Sequence, residues 1–229
     1  VIHDGIDTDI IRPVSTGDIT LTLPSEEKIK LSKDNKIITF VNRNLEPYRG
    51  YHSFMRSLPK IQKKHPDAYV LIIGGDKVSY GSNSNTGESF KDIYFNEVKN
   101  DLVDPEKILF LGRINYGNFL KIIAISSVHV YLTYPFVLSW SMLEAMALEA
   151  LIIGSKTAPV EEVIKNNKNG LLVDFFDVEG LSKLVIDVLD NPKKYKLMKK
   201  NARKTIVNNY DLKSISLPKQ LELVESLLK

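Results

Sequence analysis

The sequence predicts an α/β fold, a doubly wound parallel sheet of about six strands in one domain. Three observations carry this. Short apolar runs alternate with helical periodicities along the 229 residues. The strand cores are apolar at consecutive positions, as expected when both faces of a sheet are covered. An apolar content of 43% is enough for one large core.

The elements follow in order. KIITFVN (36–42) is apolar and β-rich, a strand. Residues 49–64 have helical spacing with Phe54, Leu58 and Ile61 inward, and HPD ends the helix. Pro59 lies inside that pattern, so a kink or early break is expected there. YVLIIG (69–74) is a second strand. Residues 75–88, rich in Gly, Ser and Asn, form a long loop, and such loops inside compact domains are functional or disordered. A helix is expected at 89–100, a strand at ILFL (108–111) and a helix at 116–125. Strands at 128–132 and 151–154 flank a helix at 141–148. A short helix at 160–165 follows Pro159, and GLLVD (170–174) is the last strand. Helices close the chain at 178–189, 193–208 and 212–228, while residues 1–36 are expected as an extended lead-in.

Composition narrows the function. There is no cysteine, so disulfides and thiolate metal sites are excluded. A net charge of +3 does not call for nucleic acid. No apolar run approaches the ~20 residues of a membrane span, and VIHDGID is not a signal peptide. The chain begins with Val1, and it reads as a piece whose start lies upstream, with half of an active site expected there.

The most informative run is FVLSWSMLEAMALEALIIGS (136–155): a loop, a short helix carrying Glu144, then a buried strand. A helix N-terminus opening beside parallel strand ends is a phosphate site. Ser139 is the expected N-cap, and the backbone N–H groups of Leu138, Ser139 and Trp140 are expected to face an anion. Glu144, one turn in, can reach a sugar hydroxyl or be an ordinary exposed helix carboxylate. Arg43 and Arg49, just past the first strand, could clamp a diphosphate or be two solvated loop arginines. Arg113 and Ile114, after ILFLG, occupy the next crevice position, where a base or ribose would lie.

Other clusters read as structure. Asp7-Thr8-Asp9 is a D-x-D triplet taken as turn and capping chemistry rather than a metal site. Lys193, Lys194, Lys196, Lys199, Lys200, Arg203 and Lys204 lie opposite Tyr195, Met198, Ala202 and Ile206, so they form a solvated face, with contact to an anionic membrane as the lesser reading. His129 sits inside a strand and is packed rather than catalytic.

Taken together, VIHDGIDTDIIRP, NRNLEPYRG, ILFLGRI, SMLEAMA, LIIGSKTAPVEEVI and NGLLVDF come in the order seen in GT-B retaining glycosyltransferases of group 1, family four. The resemblance covers residues 1 to about 210 and matches the C-terminal, donor-binding half of those enzymes, a Rossmann-like domain forming one half of a GT-B fold. It implies that residues 1–36 resemble the interdomain linker and that 211–229 pack toward an N-terminal domain. Arg43 and Arg49 match the basic pair that holds the donor diphosphate. Glu144 matches the second glutamate of the E-x7-E motif, which contacts the ribose, and Ser139 falls where a glycine usually meets the phosphates. With them, Val137, Leu138, Trp140, Arg113 and Ile114 complete the implied donor site, in which Arg43 and Arg49 also serve catalysis by stabilising the leaving diphosphate.

The first glutamate of the motif falls on Phe136, whose ring cannot bond sugar hydroxyls or stabilise charge at the anomeric carbon. The implied partners are a nucleotide-diphosphate sugar, the N-terminal domain and an acceptor glycan or lipid. No metal, cofactor or nucleic acid is expected, and the location would be cytoplasmic, with peripheral contact at the inner membrane an option. A non-catalytic nucleotide-sugar-binding module and half of a sugar-nucleotide epimerase stay open beside the transferase. A flavodoxin-like signalling domain would want acidic residues where Arg43 and Arg49 stand.

Overall fold

The computed structural model describes residues 1–13 and 18–228; positions 14–17 of the lead-in and Lys229 of the terminal stretch lie outside them. The lead-in is not simply extended. It contains a hairpin, β1 (Ile19–Thr22) paired antiparallel with β2 (Lys28–Leu31). ITLTL and KIKL alternate apolar with polar or charged residues, and Ile19, Leu21 and Ile29 pack half-buried on the core.

The strands of the main sheet are β3 (Ile37–Asn44), β4 (Tyr69–Gly75), β5 (Ile108–Gly112), β6 (Val128–Tyr131), β7 (Ile152–Ser155) and β8 (Leu171–Val173). They pair in parallel in the order β5-β4-β3-β6-β7-β8. The order reverses between β3 and β6, and the crevice above their C-terminal ends is where ligands bind in open α/β sheets. The helices are α1 (Tyr51–Lys64), α2 (Phe90–Val98), α3 (Tyr116–Ala124), α4 (Trp140–Ala147), α5 (Ala158–Val163), α6 (Val178–Asp190), α7 (Lys196–Asn209) and α8 (Leu217–Leu227).

Side chains alternate across each strand, which builds two cores. Ile37 and Val41 of β3 join Leu71 and Ile73 of β4 on the face covered by α3, α4 and α7. Ile38, Phe40, Val70 and Ile72 point the other way, against α1 and α6, where Phe40 stacks on Phe54 at 4.4 Å. The helix is not broken at Pro59: α1 runs through it. The residue still lacks an N–H for the carbonyl of Met55, but Met55, Leu58 and Ile61 are fully buried around it, and that packing carries the helix past the missing bond.

The lead-in and the tail are tied together. Ile6 donates to the Tyr210 carbonyl at 2.8 Å and accepts from Leu212 N–H at 2.9 Å. Thr8 donates its hydroxyl to Asp211 at 2.6 Å. Burial would raise the Asp211 carboxyl, but hydrogen bonds from Thr8 and Ser214 hold it down at about 2. Asp7 accepts from the backbone of Asp9 and Ile10, and both aspartates pair with Lys213. The triplet is therefore turn and ion-pair chemistry. Among the described residues, no group of three or more His, Cys, Asp or Glu could hold a metal ion.

Two members of the cationic run are not solvated. Arg203 points inward and donates to the carbonyls of Thr8, Ile11 and Ala147. Lys199 is half-buried, and burial lowers its pKa. The helical spacing put both beside Ala202 on the flank of α7, and packing of the lead-in turned that flank inward.

His129 is fully buried in β6. Its Nδ1 is 2.9 Å from the Thr39 hydroxyl, while Nε2 has no partner among the described residues. Burial lowers its pKa to about 3. The unfolded chain takes up this proton below about 6.5, whereas the folded chain resists until about 3, so stability falls as pH drops through that window. The expected slope from this group is about 1.4 kcal/mol per pH unit at full effect. Urea midpoints measured from pH 7 to pH 4.5 should drop, and His129→Gln should flatten the dependence; an equal slope in the variant would rule His129 out as its source.

Candidate active site

The site is built around Arg49. LEPYRG turns sharply after β3: residues Pro47–Arg49 form a single 3₁₀ turn, and Gly50 then starts α1 with φ 69°. This places the Arg49 side chain under the end of β6, where it is 7% exposed. Its Nη1 donates to the Thr133 hydroxyl at 2.8 Å and to the Val137 carbonyl at 3.2 Å. Its guanidinium lies 5.1 Å from the Tyr80 ring and 5.2 Å from the Phe136 ring, and those rings touch each other at 4.7 Å. One nitrogen is thus anchored and two rings fix the plane. The Tyr131 hydroxyl also lies against the guanidinium, and the Arg49 charge opposes the rise that burial gives the Tyr131 pKa.

A cavity of about 560 Å³ opens beside this guanidinium, lined by Asn42, Arg43, Arg49, Tyr80 and residues 137–140. Arg43 is exposed at its mouth. The structure therefore brings together Arg43, Arg49, Val137, Leu138, Ser139 and Trp140. Ser139 is the N-cap of α4 and accepts from Ser141 N–H at 3.4 Å. One expectation is corrected: the Ser139 N–H does not face the cavity as a donor to an anion but is spent on the Tyr131 hydroxyl at 2.8 Å. Tyr131 is a long buried side chain reaching up from β6, so it closes the underside of the loop. The N–H groups of Leu138 and Trp140 have no partner among the described residues.

Glu144 is not an exposed helix carboxylate. It is 6% exposed, and its Oε1 accepts from the Tyr116 hydroxyl at 2.6 Å. Burial raises its pKa, and the Tyr116 bond opposes that. Its Oε2 has no protein partner among the described residues. Arg113 is exposed at the end of β5, where its Nη2 donates to Asn44 Oδ1 at 3.3 Å. With Gly74, Gly75, Asp76, Lys77, Lys91, Phe110 and Gly112 it lines a second hollow of about 390 Å³. Ile114 is not in either hollow; its side chain packs half-buried against the core.

Sequence reasoning missed Tyr80, Tyr116, Tyr131 and Thr133. Tyr80 lies in the Gly/Ser/Asn-rich loop, whose length was the available signal. That loop is held by Glu46, 1% exposed, whose Oε2 accepts from the N–H groups of Ser79 and Tyr80.

Comparison with known proteins bears on the family and the fold. The family model described as "Glycosyl transferases group 1" matches residues 24–205. A GDP-mannose-dependent monoacylated alpha-(1-6)-phosphatidylinositol monomannoside mannosyltransferase of Corynebacterium glutamicum is 24% identical over 199 residues, 83% of this chain and 47% of that protein. A glycosyltransferase structure from Rickettsia africae superposes with TM-score 0.78 at 22% identity, over 100% of this chain and 57% of the other. The structure of Anabaena HepE in complex with UDP and glucose superposes with TM-score 0.73 at 16% identity, over 98% of this chain and 56% of the other. The chain spans about half the length of the curated relatives it matches. With four-fifths of its length inside the family model and the GT-B type of sheet beneath the site, the chain belongs to the group 1 glycosyltransferases.

Proposed function

We propose that this chain is the donor-binding half of a retaining glycosyltransferase, taking a nucleotide-diphosphate sugar. The observation that carries the reading is Arg49, a buried and anchored guanidinium that lines the cavity together with residues 137–140 at the N-terminus of α4. As the glycosidic bond breaks, negative charge grows on the departing diphosphate. Arg49, Arg43 and the N–H groups of Leu138 and Trp140 stabilise that charge, which lowers the barrier because they are set before the reaction starts. Glu144 Oε2 accepts from a ribose hydroxyl while Tyr116 holds Oε1. The scheme routes no step through a metal or cofactor. HepE, a neighbour in fold, was solved with UDP and glucose, and the corynebacterial relative is named for a GDP-mannose donor and a phosphatidylinositol mannoside acceptor.

The acceptor site lies on an upstream half. α8 supports that arrangement: none of its residues is buried, and Leu217, Leu221 and Val224 recur along one exposed side. This side packs on the upstream half. The chain alone binds nucleotide weakly and transfers no sugar. A second reading, a nucleotide-sugar-binding module without catalysis, is favoured by Phe136: its ring is taken up against Arg49 and Tyr80 and offers a sugar no hydrogen bond.

Calorimetric titration with uridine and guanosine diphosphates tests the binding step. One of them should bind, and Glu144→Gln should weaken it about tenfold by removing a charged acceptor. Absence of heat at millimolar nucleotide with both would overturn the donor-site reading. Turnover in the full-length protein separates transferase from module.

A further inference from the structure

The outer face of α7 is a cationic surface that the donor site does not use. Residues 193–204 carry seven cations and no acid on a chain whose net charge is +3, so the rest of the chain is net acidic. Three of the seven are engaged or turned inward. Lys194 pairs with Asp187 at 2.6 Å, Arg203 holds backbone carbonyls, and Lys199 is half-buried. Lys193, Lys196, Lys200 and Lys204 are exposed, and none has a carboxylate within ion-pair distance among the described residues.

Their spacing sets their direction. Lys196, Lys200 and Lys204 follow at four-residue intervals and share one face, with Lys193 one turn before them. Ala202 and Ile206 are buried on the opposite face, so the cations stand away from the core. Leu197, 69% exposed, and Val207, 37% exposed, lie among them. A shallow groove of about 290 Å³ beside α7 adds exposed Lys165 and Lys168 next to Asn201, Lys204 and Asn208.

We propose that this face docks the protein on an anionic lipid bilayer surface. Charge complementarity selects the partner. Clustered lysines on a helix lying along the surface are drawn to an anionic leaflet, and the interleaved Leu197 and Val207 suit the headgroup layer. A single-stranded nucleic acid would want aromatic rings between the cations. The exposed rings, Tyr48, Tyr80, Tyr116, Tyr134, Trp140 and Phe176, instead follow the C-terminal ends of strands, on the crevice side. The contact is one of surface charge, because the apolar face of α7 is already spent on the core. No helix among the described residues is long and apolar enough to cross a membrane.

The test is co-sedimentation of the full chain with vesicles of phosphatidylcholine alone, and with vesicles containing one part in three phosphatidylglycerol. The protein should pellet with the anionic vesicles only, and should be released when salt rises from about 0.05 M to about 0.5 M. Replacing Lys193, Lys196, Lys200 and Lys204 with glutamine should weaken binding at least a hundredfold, at about fivefold per lysine. The glutamine variant should keep the wild-type circular dichroism spectrum and melting temperature, since all four side chains are exposed. Lys60→Gln and Lys183→Gln, on another flank, should bind as wild type. Equal binding to neutral vesicles, wild-type affinity in the quadruple variant, or tighter binding to a single-stranded RNA oligomer than to anionic vesicles would each overturn the proposal.

Discussion

Arg49→Ala is expected to weaken binding of the preferred nucleoside diphosphate about 100-fold, because truncating a buried charge partner costs about 2–5 kcal/mol and each 1.4 kcal/mol is tenfold. Arg49 differs from a surface arginine in two ways. It is buried, so its charge acts on a ligand through less water than a solvated group. It is also prearranged, since Thr133, the Val137 carbonyl and two aromatic rings hold it before any ligand arrives. Little ordering cost is left for the binding step. Arg49→Lys keeps the charge but loses the fork and the stacking, so an intermediate loss of about tenfold is expected. Arg43→Ala, at the exposed mouth, should also lose about tenfold, because a solvated charge counts for less. Titration calorimetry on the three variants gives the order. Binding by Arg49→Ala within threefold of wild type would mean that the diphosphate does not sit on this fork.

The same residue shows how far the sequence could be read. Its place after the first core strand was legible, because strands and helices announce themselves by apolar periodicity and the crevice follows from topology. That Arg49 would be buried was not, because burial depends on Tyr80 and Phe136, which lie 31 and 87 positions downstream of it. Contacts between loops leave no periodic trace. Glu144 was legible as a carboxylate one turn into a helix at the crevice, but its partner Tyr116 comes from another helix. The Ser139 N–H failed for a related reason: a tyrosine in the strand below it takes the donor. The hairpin at 19–31 was missed although ITLTL and KIKL alternate, because two short half-buried strands outside the main sheet are easily taken for an extended segment. Lys199 and Arg203 were misassigned because a helical wheel knows only its own helix, and the lead-in folds back over that flank of α7.

Phe136 gains a physical role from the structure. The glutamate that the resemblance implies at that position would offer a carboxylate to a sugar hydroxyl. A ring instead stacks on the guanidinium at 5.2 Å and leaves its net charge available. On the proposed donor-site reading, the ring leaves the diphosphate contact to Arg49 and gives a sugar no hydrogen bond.

Gly50→Ala is expected to lower stability by about 3 kcal/mol, through two separate costs. The residue has φ 69°, a left-handed conformation that an L side chain adopts at about 1–2 kcal/mol. A Cβ there would also sit 2.3 Å from the Leu132 Cβ, a backbone-proximal atom that no rotamer change can move away. Leu132 is 1% exposed, so it cannot retreat into solvent. Relief has to come from shifting the segment after β6 or the start of α1. Either movement separates Thr133 from Arg49, whose 2.8 Å hydrogen bond anchors the fork. The substitution should therefore reduce nucleotide affinity as well as the melting temperature, the latter by roughly 10 °C for a domain of this size. Gly87→Ala is the contrast: it has φ 78° but nothing within 4 Å of its added Cβ, so only the conformational cost applies. Thermal unfolding of both variants separates strain from clash. If Gly50→Ala and Gly87→Ala melted together, close packing against Leu132 would not be what holds Arg49 in place.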